Sequence, residues 1–291
     1  MPTVTIAKTK LAQELGISRA SLYYRPRKPA QDEALKQKIV AVMADHPAYG
    51  QRRVALALER NAKPIRRVMR LFRLKPRIRR GQRPAKPDDQ NRQETRVVNI
   101  LKTLCPIRAN IVWAGDFTYF WFIDRFWYLV TVIDLFTREI VGWHVANHHT
   151  TALIIEAFHD ARRRTDHSSR WFHSDQGSEY VAGAYELMLA AAGTLPSHSR
   201  KSSPWQNGHQ ESFYANFKLE LGNVSRFSEV GELIEAIHQQ ISYYNERRIH
   251  TALKMPPAVF RRRREQKMTA IAVTSSIEKQ FLLISGERKS V

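Results

Sequence analysis

The spacing of apolar positions changes character partway along the chain. Over residues 11–24, LAQELGISRASLYY, the anchors Leu11, Leu15, Ile17 and Leu22 fall at helical intervals on either side of Gly16. A glycine there permits a tight turn, and Ser18 is placed to cap a second helix. The stretch therefore predicts helix, turn, helix, with Arg19, Ser21 and Arg25 toward the outer face of the second helix. ALKQKIVAVMADHPAYG predicts an amphipathic helix ending near His46-Pro47. QRRVALALER and PIRRVMRLFRL continue the helical period. Residues 76–96 are polar and proline-bearing, which predicts an extended linker.

From residue 111 the period shortens to two. VWAGDFTYFWFI, WYLVTVIDLF and REIVGWHVA predict three strands, joined at Asp124-Arg125 and Thr137-Arg138 into an antiparallel meander. TALIIEAFHDARRR then predicts a helix, RWFHSD a short strand, EYVAGAYELMLAAAG a helix and TLPSHS a fifth strand. SPWQNGHQESFYANFKLELG predicts a helix with Ser203 at the cap and Pro204 in its first position. A further helix covers VGELIEAIHQQISYYNERRIH, before the basic run RRRREQK and a tail without strong pattern. The order βββ-α-β-α-β-α predicts a mixed sheet covered by helices and excludes a doubly wound dinucleotide fold.

Charge sharpens this division. The net charge is +20, and residues 1–110 hold 26 Lys and Arg against 8 Asp and Glu, whereas residues 111–291 hold 21 against 19. A basic front half on a near-neutral back half points to a polyanion, with nucleic acid the natural partner. Arg52, Arg53, Arg66 and Arg67, with few acids among them, are candidate phosphate contacts, and Arg19 is one on the helix after Gly16. No apolar run approaches a membrane span, and MPTVTIAKTK lacks a signal core. The only cysteine is Cys105, which excludes an internal disulfide and a multi-cysteine zinc site and suits a reducing cytoplasm.

Three acids carry the candidate chemistry. Asp116 lies within the first strand, Asp175 ends the fourth in HSDQGSEY, and Glu211 lies in the helix NGHQESFYANFK. If strand 4 pairs beside strand 1, Asp175 comes next to Asp116, and the helix crossing the sheet can present Glu211 to both. Clustered carboxylates oppose one another's ionisation, a conflict that Mg²⁺ or Mn²⁺ resolves. Two such ions about 4 Å apart would serve both the attacking and the leaving oxygen of a phosphodiester. Lys218, seven residues after Glu211, leaves the same helix face roughly 10 Å along, where it can hold a DNA phosphate. Among other polar residues, Asp134 is assigned to capping the Thr137-Arg138 turn, Asp124 to a turn, and Glu179 to solvent. His173 shares the Asp175 face and is either a substrate contact or a core buttress. Asn207 and Gln210 are either DNA contacts or helix-start polarity. Trp113, Trp121, Trp127 and Trp143 are assigned to the core.

WAGDFTY, HSDQGSEY and SPWQNGHQESFYANFK resemble the catalytic motifs of the retroviral-integrase superfamily, above all the family-three transposases of bacterial insertion sequences. That family is marked by 35 residues between the second Asp and the Glu, and by a basic residue seven places after the Glu. HPAYGQRRVALAL, RRVMRLFRL and YYNERRIHTALKMPPAVF resemble its other segments, although Gln51 stands where an aromatic or basic residue is usual. The resemblance implies an RNase H-like mixed five-stranded sheet with flanking helices, preceded by all-α helix-turn-helix modules. It implies a metal-dependent polynucleotidyl transferase with Asp116, Asp175 and Glu211 as catalytic and metal-binding residues. It further implies double-stranded DNA as substrate (element ends and target), assembly as a homo-oligomer on DNA, a second-frame product with an upstream-frame partner protein, and a nucleoid-associated bacterial location. The expected divisions are 1–30 and 31–80 as helical DNA-binding segments, 81–107 as linker, 108–225 as catalytic core, 226–262 as helical extension and 263–291 as tail. A catalytically silent DNA-binding regulator and a structure-selective nuclease are the alternative functions.

Overall fold

The computed structural model describes residues 8–23, 28–77, 97–199 and 208–270. Arg25, Asn207, the Ser203-Pro204 start of the penultimate expected helix, most of the linker and the tail beyond residue 270 lie outside the described residues. No helix among the described residues is long and apolar enough to cross a membrane.

The front half is helical. α1 (Lys8–Glu14) turns at Gly16, whose φ of +64° is the left-handed conformation expected of that glycine. Ser18 caps as expected, its hydroxyl accepting from the Ser21 amide at 3.2 Å. The element after it is a single 3-10 turn, Arg19–Tyr23, not a second α-helix. α2 (Lys28–Asp45), α3 (Gln51–Ala57) and α4 (Ala62–Leu71) pack around Leu35, Ile39, Tyr49, Val54, Ile65 and Val68. Asn61 caps α4, its side chain accepting from the Lys63 amide.

The back half is a five-stranded sheet in the order β3-β2-β1-β4-β5. β1 (Val112–Phe122), β2 (Arg125–Asp134) and β3 (Ile140–Ala146) form the antiparallel meander. β4 (Trp171–Ser174) and β5 (Leu195–His198) join it in parallel beside β1. This is the mixed five-stranded sheet that the element order predicts, in the arrangement that the family resemblance implies. The first turn falls one residue earlier than expected: Ile123 and Asp124 both take positive φ, matching the twist of a two-residue hairpin.

Alternation along β1 assigns its two faces. Trp113 belongs with Val130, Val132 and Phe172 to a core covered by α5 (Thr151–Thr165) and α6 (Gly183–Ala191). Val112, Ala114, Phe120 and Phe122 face the other core, covered by α7 (Gly208–Leu221) and α8 (Val230–Glu246). Gly142 lets α5 lie directly on β3, because a Cβ there would come within 2.4 Å of the Ala157 carbonyl oxygen. On the opposite face, the Asn245 amide of α8 donates to and accepts from the Ile140 backbone at 2.9 Å each way, occupying the β3 edge as a strand would. Trp113 is core as expected, but Trp121 is exposed, because it alternates outward at the hairpin tip.

The helical front packs onto the end of α8. Tyr49 accepts from the Ile249 amide at 2.6 Å, and the Tyr243 hydroxyl hydrogen-bonds His46 Nδ1 at 2.7 Å. Arg248, buried just past α8, grips Glu220 of α7. A last helix runs over residues 257–270.

Candidate active site

Asp116 sits in the middle of β1, on the face covered by α7. The register ends with Ala114 beside His173, so Asp116, two residues on along β1, and Asp175, just past the end of β4, lie at the same end of this crossing, where the charge of Asp175 acts on Asp116. Phe172 points into the α5/α6 core, which sends its neighbour His173, and by alternation Asp175, to the α7 face with Asp116. Gly115 keeps this crossing close: a Cβ there would lie 2.6 Å from the Phe172 ring. Glu211 occupies the first turn of α7, exposed above the same face.

Two further acids act on Asp116. Burial first, then the charge of Asp175, then that of Glu211 push the Asp116 pKa up to about 7. The opposing influence is a backbone hydrogen bond, from the Phe117 amide at 2.8 Å. Asp175 is exposed, and its Oδ1 accepts from the Gly177 amide at 3.0 Å, so the Gln-Gly turn fixes the carboxylate at the strand end. Among the described residues, no three His, Cys, Asp or Glu side chains gather closely enough to form a metal-holding group. The donor chemistry nevertheless fits a hard divalent cation. All three groups are carboxylates, and the one protein donor that opposes the raised Asp116 pKa is the Phe117 amide.

α7 is joined to the sheet at this point through polar side chains. Gln210 is fully buried; its amide nitrogen donates to the Ala114 and Thr131 carbonyls at 2.6 and 3.1 Å, and its oxygen accepts from the Thr131 hydroxyl at 3.1 Å. The Tyr214 hydroxyl donates to the carbonyl of Asp116 itself and accepts from the Thr131 amide and hydroxyl at 3.2 and 2.9 Å. Gln210 is thus a fold residue, and the DNA contact considered for it is corrected: no part of its amide reaches solvent. Thr131 is the residue opposite Asp116 across β1 and β2, so these bonds fix the height of α7 over the acid. Neither Gln210 nor Tyr214 announces this role in sequence; the one signal is a glutamine beside Glu211 on the buried side of an otherwise aromatic helix face.

Other expected residues divide cleanly. His173 is wholly buried, with Nδ1 bonded to Ser197 at 2.9 Å, and is a buttress of the Asp175 strand. His198, unremarked in sequence, meets the Asp175 carbonyl at 3.1 Å and Ser174 at 3.0 Å. Asp134 caps its turn as expected. Glu179, expected in solvent, is half-buried and pairs with His149 at 2.8 Å, because a short 3-10 turn (Ser178–Tyr180) carries it back over the sheet. Lys218 holds the Tyr119 carbonyl at 2.9 Å, at the far end of β1. Arg19, Arg52 and Arg66 are exposed, as a phosphate contact requires. Arg67 is committed to a two-pronged ion pair with the buried Asp32. Arg53, also a candidate phosphate contact, is only partly exposed: its guanidinium lies 5.8 Å from the centroid of the Tyr49 ring and its Nε is buried.

Known proteins resemble the chain over most of its length. Residues 106–204 and 192–257 match two integrase core domain families. The transposase for insertion sequence element IS904 of Lactococcus lactis is 32% identical over 250 residues, covering 80% of this chain and 95% of the relative. The putative transposase InsK for element IS150 of Escherichia coli is 29% identical, covering 84% and 89%. A 31 kDa protein of element IS600 from Shigella sonnei is 32% identical, covering 88% and 99%. Among solved structures, the HTLV-2 integrase catalytic core in complex with magnesium superposes with a TM-score of 0.43 at 17% identity, covering 50% of this chain and 92% of that one.

Proposed function

The chain belongs to the insertion-sequence transposases that carry an integrase core domain, and we propose that Asp116, Asp175 and Glu211 are its catalytic carboxylates. The observation that carries this reading is the convergence of acids on Asp116, partly buried on β1, where burial and then the charges of Asp175 and Glu211 raise its pKa to about 7. Retaining such a cluster costs stability, and a site that binds a cation recovers it. The three carboxylates would hold Mg²⁺ or Mn²⁺, as one ion or two, which when bound stabilises negative charge on the attacking and leaving oxygens of a phosphodiester.

The chain's own residues supply the frame. Gly177 orients Asp175, while Gln210 and Tyr214 set Glu211 over Asp116. Water opens a phosphodiester at the element end, and the freed 3′-OH attacks a second one in line. Bonds are exchanged one for one, so no nucleotide triphosphate is needed. Arg19, Arg52 and Arg66 meet the DNA backbone from the basic front half, and Lys218 meets it near the reacting strand. The finer reading is a family-three, second-frame product. It assembles as a homo-oligomer on the two DNA ends with an upstream-frame partner, at the nucleoid in the cytoplasm.

Asp175→Asn tests the core of this. The variant should bind element ends as the parent does and neither cleave nor join them. Retained cleavage would remove the carboxylates from the mechanism. Cleavage without joining by the parent would favour a structure-selective nuclease, and neither reaction a silent regulator.

A further inference from the structure

Beside α7, three arginines from distant parts of the chain line one cavity of about 240 Å³. Arg53 comes from α3, Arg138 from the β2–β3 turn and Arg248 from the segment after α8. His250, with Ser212 and Asn216 of α7, contributes further polar lining. Among the described residues, no Asp or Glu lines it.

Each arginine leaves a nitrogen buried and without a partner: Nε of Arg53, Nη1 of Arg138 and Nη2 of Arg248. Nδ1 of His250 is in the same state. Arg248 is 2% exposed and holds Glu220 through Nε alone, at 2.7 and 2.8 Å, so its outer nitrogen remains for the cavity. Burial, and then the charge of Arg248, lower the Arg53 pKa, and burial lowers that of Arg138. Burial, Arg138, Arg248 and Arg53 bring the His250 pKa down to about 4. His250 therefore feels the positive charge of all three arginines at once, and no acid lining the cavity offsets it.

Burying a cation without an acceptor costs several kcal/mol, and guanidinium forks match oxyanions in shape. The cavity is roughly eight times a water's share of liquid volume, ~30 Å³, enough for one phosphate group with residual water. We propose that it is a phosphate-binding site in which Arg53, Arg138 and Arg248 converge on one oxyanion. The phosphate would tie together the helical front, the sheet and α7, the helix that carries Glu211. A DNA backbone phosphate and a free phosphate share this chemistry. The first source rests on the transposase reading, and the second does not.

The test uses the full chain with Arg53→Gln, Arg138→Gln and Arg138→Lys variants, folding being checked by circular dichroism. Inorganic phosphate is titrated against chloride at constant ionic strength, by calorimetry and thermal unfolding. The parent should show saturable binding and a saturable rise in Tm. Both Gln variants should weaken binding about tenfold or more, and Arg138→Lys should lie between. Absence of saturable binding, or equal binding by parent and Gln variants, overturns the site. In a second arm, an element-end duplex replaces phosphate. If a backbone phosphate is the occupant, the Gln variants lose about tenfold in DNA affinity, their salt slope falls by about one, and inorganic phosphate competes. If DNA binding is unchanged while phosphate binding is lost, the site stands with a free phosphate as its ligand. Neither arm reads cleavage, so failure of the carboxylate reading would leave this result untouched.

Discussion

Asp134 and Asp116 lie on neighbouring strands, and burial raises the pKa of both. Their surroundings differ in every other respect. Asp134 accepts from the Asn110, Phe136 and Thr137 amides at 2.7, 2.9 and 2.7 Å and from the Thr137 hydroxyl at 3.0 Å. Its cross-strand neighbour is Trp113, on the α5/α6 face. Asp116 has one backbone donor, opposes Thr131 on the α7 face, and is pressed by two more carboxylates. Burial therefore does not separate the proposed catalytic acid from the turn cap. Partner chemistry separates them: one carboxylate closes a turn from within, and the other has a single backbone donor and two further carboxylates acting on it.

The largest effect should follow from neutralising the proposed catalytic acid. Asp116→Asn should reduce cleavage by at least about a thousandfold, ~4 kcal/mol of barrier, while leaving Tm unchanged or slightly higher, because charge repulsion is relieved. Paired turnover and thermal-unfolding measurements check this. A large drop in Tm would make Asp116 structural and erase the contrast. Asp134→Asn should show the reverse. Its amide cannot accept at every position the carboxylate serves, so stability should fall by about 3 kcal/mol, and turnover per folded molecule should hold near the parent value. Full folding with lost turnover would move Asp134 into the active site.

A smaller effect belongs to the bonds that set α7 over Asp116. Tyr214→Phe keeps the ring in the core and removes the hydroxyl that joins the Asp116 carbonyl to Thr131. Stability should fall by about 1–2 kcal/mol, and turnover about tenfold with KM for DNA unchanged. Gln210→Leu removes the neighbouring bonds and should resemble it. If both variants lose only stability, the polar join holds the helix on without positioning Glu211.

Sequence reveals the proposed catalytic acid better than its support. Alternation placed Asp116 on a central strand, and element order placed β4 beside β1, because these follow from local period and connection rules. Asp134 was legible as a turn cap because most of its partners lie within three residues. Gln210 and Tyr214 were not, since their partners lie 79 to 98 positions away and depend on how deep α7 settles. The same distance hides the arginine cavity: Arg53, Arg138 and Arg248 look like ordinary surface charges until α3, the β2–β3 turn and the segment after α8 are folded together. The second helix expected after Gly16 is instead a 3-10 turn over Arg19–Tyr23, a distinction that the apolar spacing alone does not carry.

Lys218 gives the smallest effect and tests the comparison on a cation. Its ammonium donates to the Tyr119 carbonyl at 2.9 Å and lies 5.0 Å from the centroid of that residue's ring, so it is held along β1 as well as lying on the Glu211 side of α7. An exposed bond of this kind contributes little to folding, and Lys218→Ala should cost less than about 1 kcal/mol. If the amine also meets a phosphate of the reacting strand, turnover of a pre-nicked element end should fall about fivefold, with metal dependence unchanged. Lys218→Arg should recover much of that loss through its charge, whereas Lys218→Met, which keeps most of the stem and loses the cation, should not. If Lys218→Met matches the parent in turnover, Lys218 serves β1 alone and belongs with Asp134 among the charges that the fold itself completes.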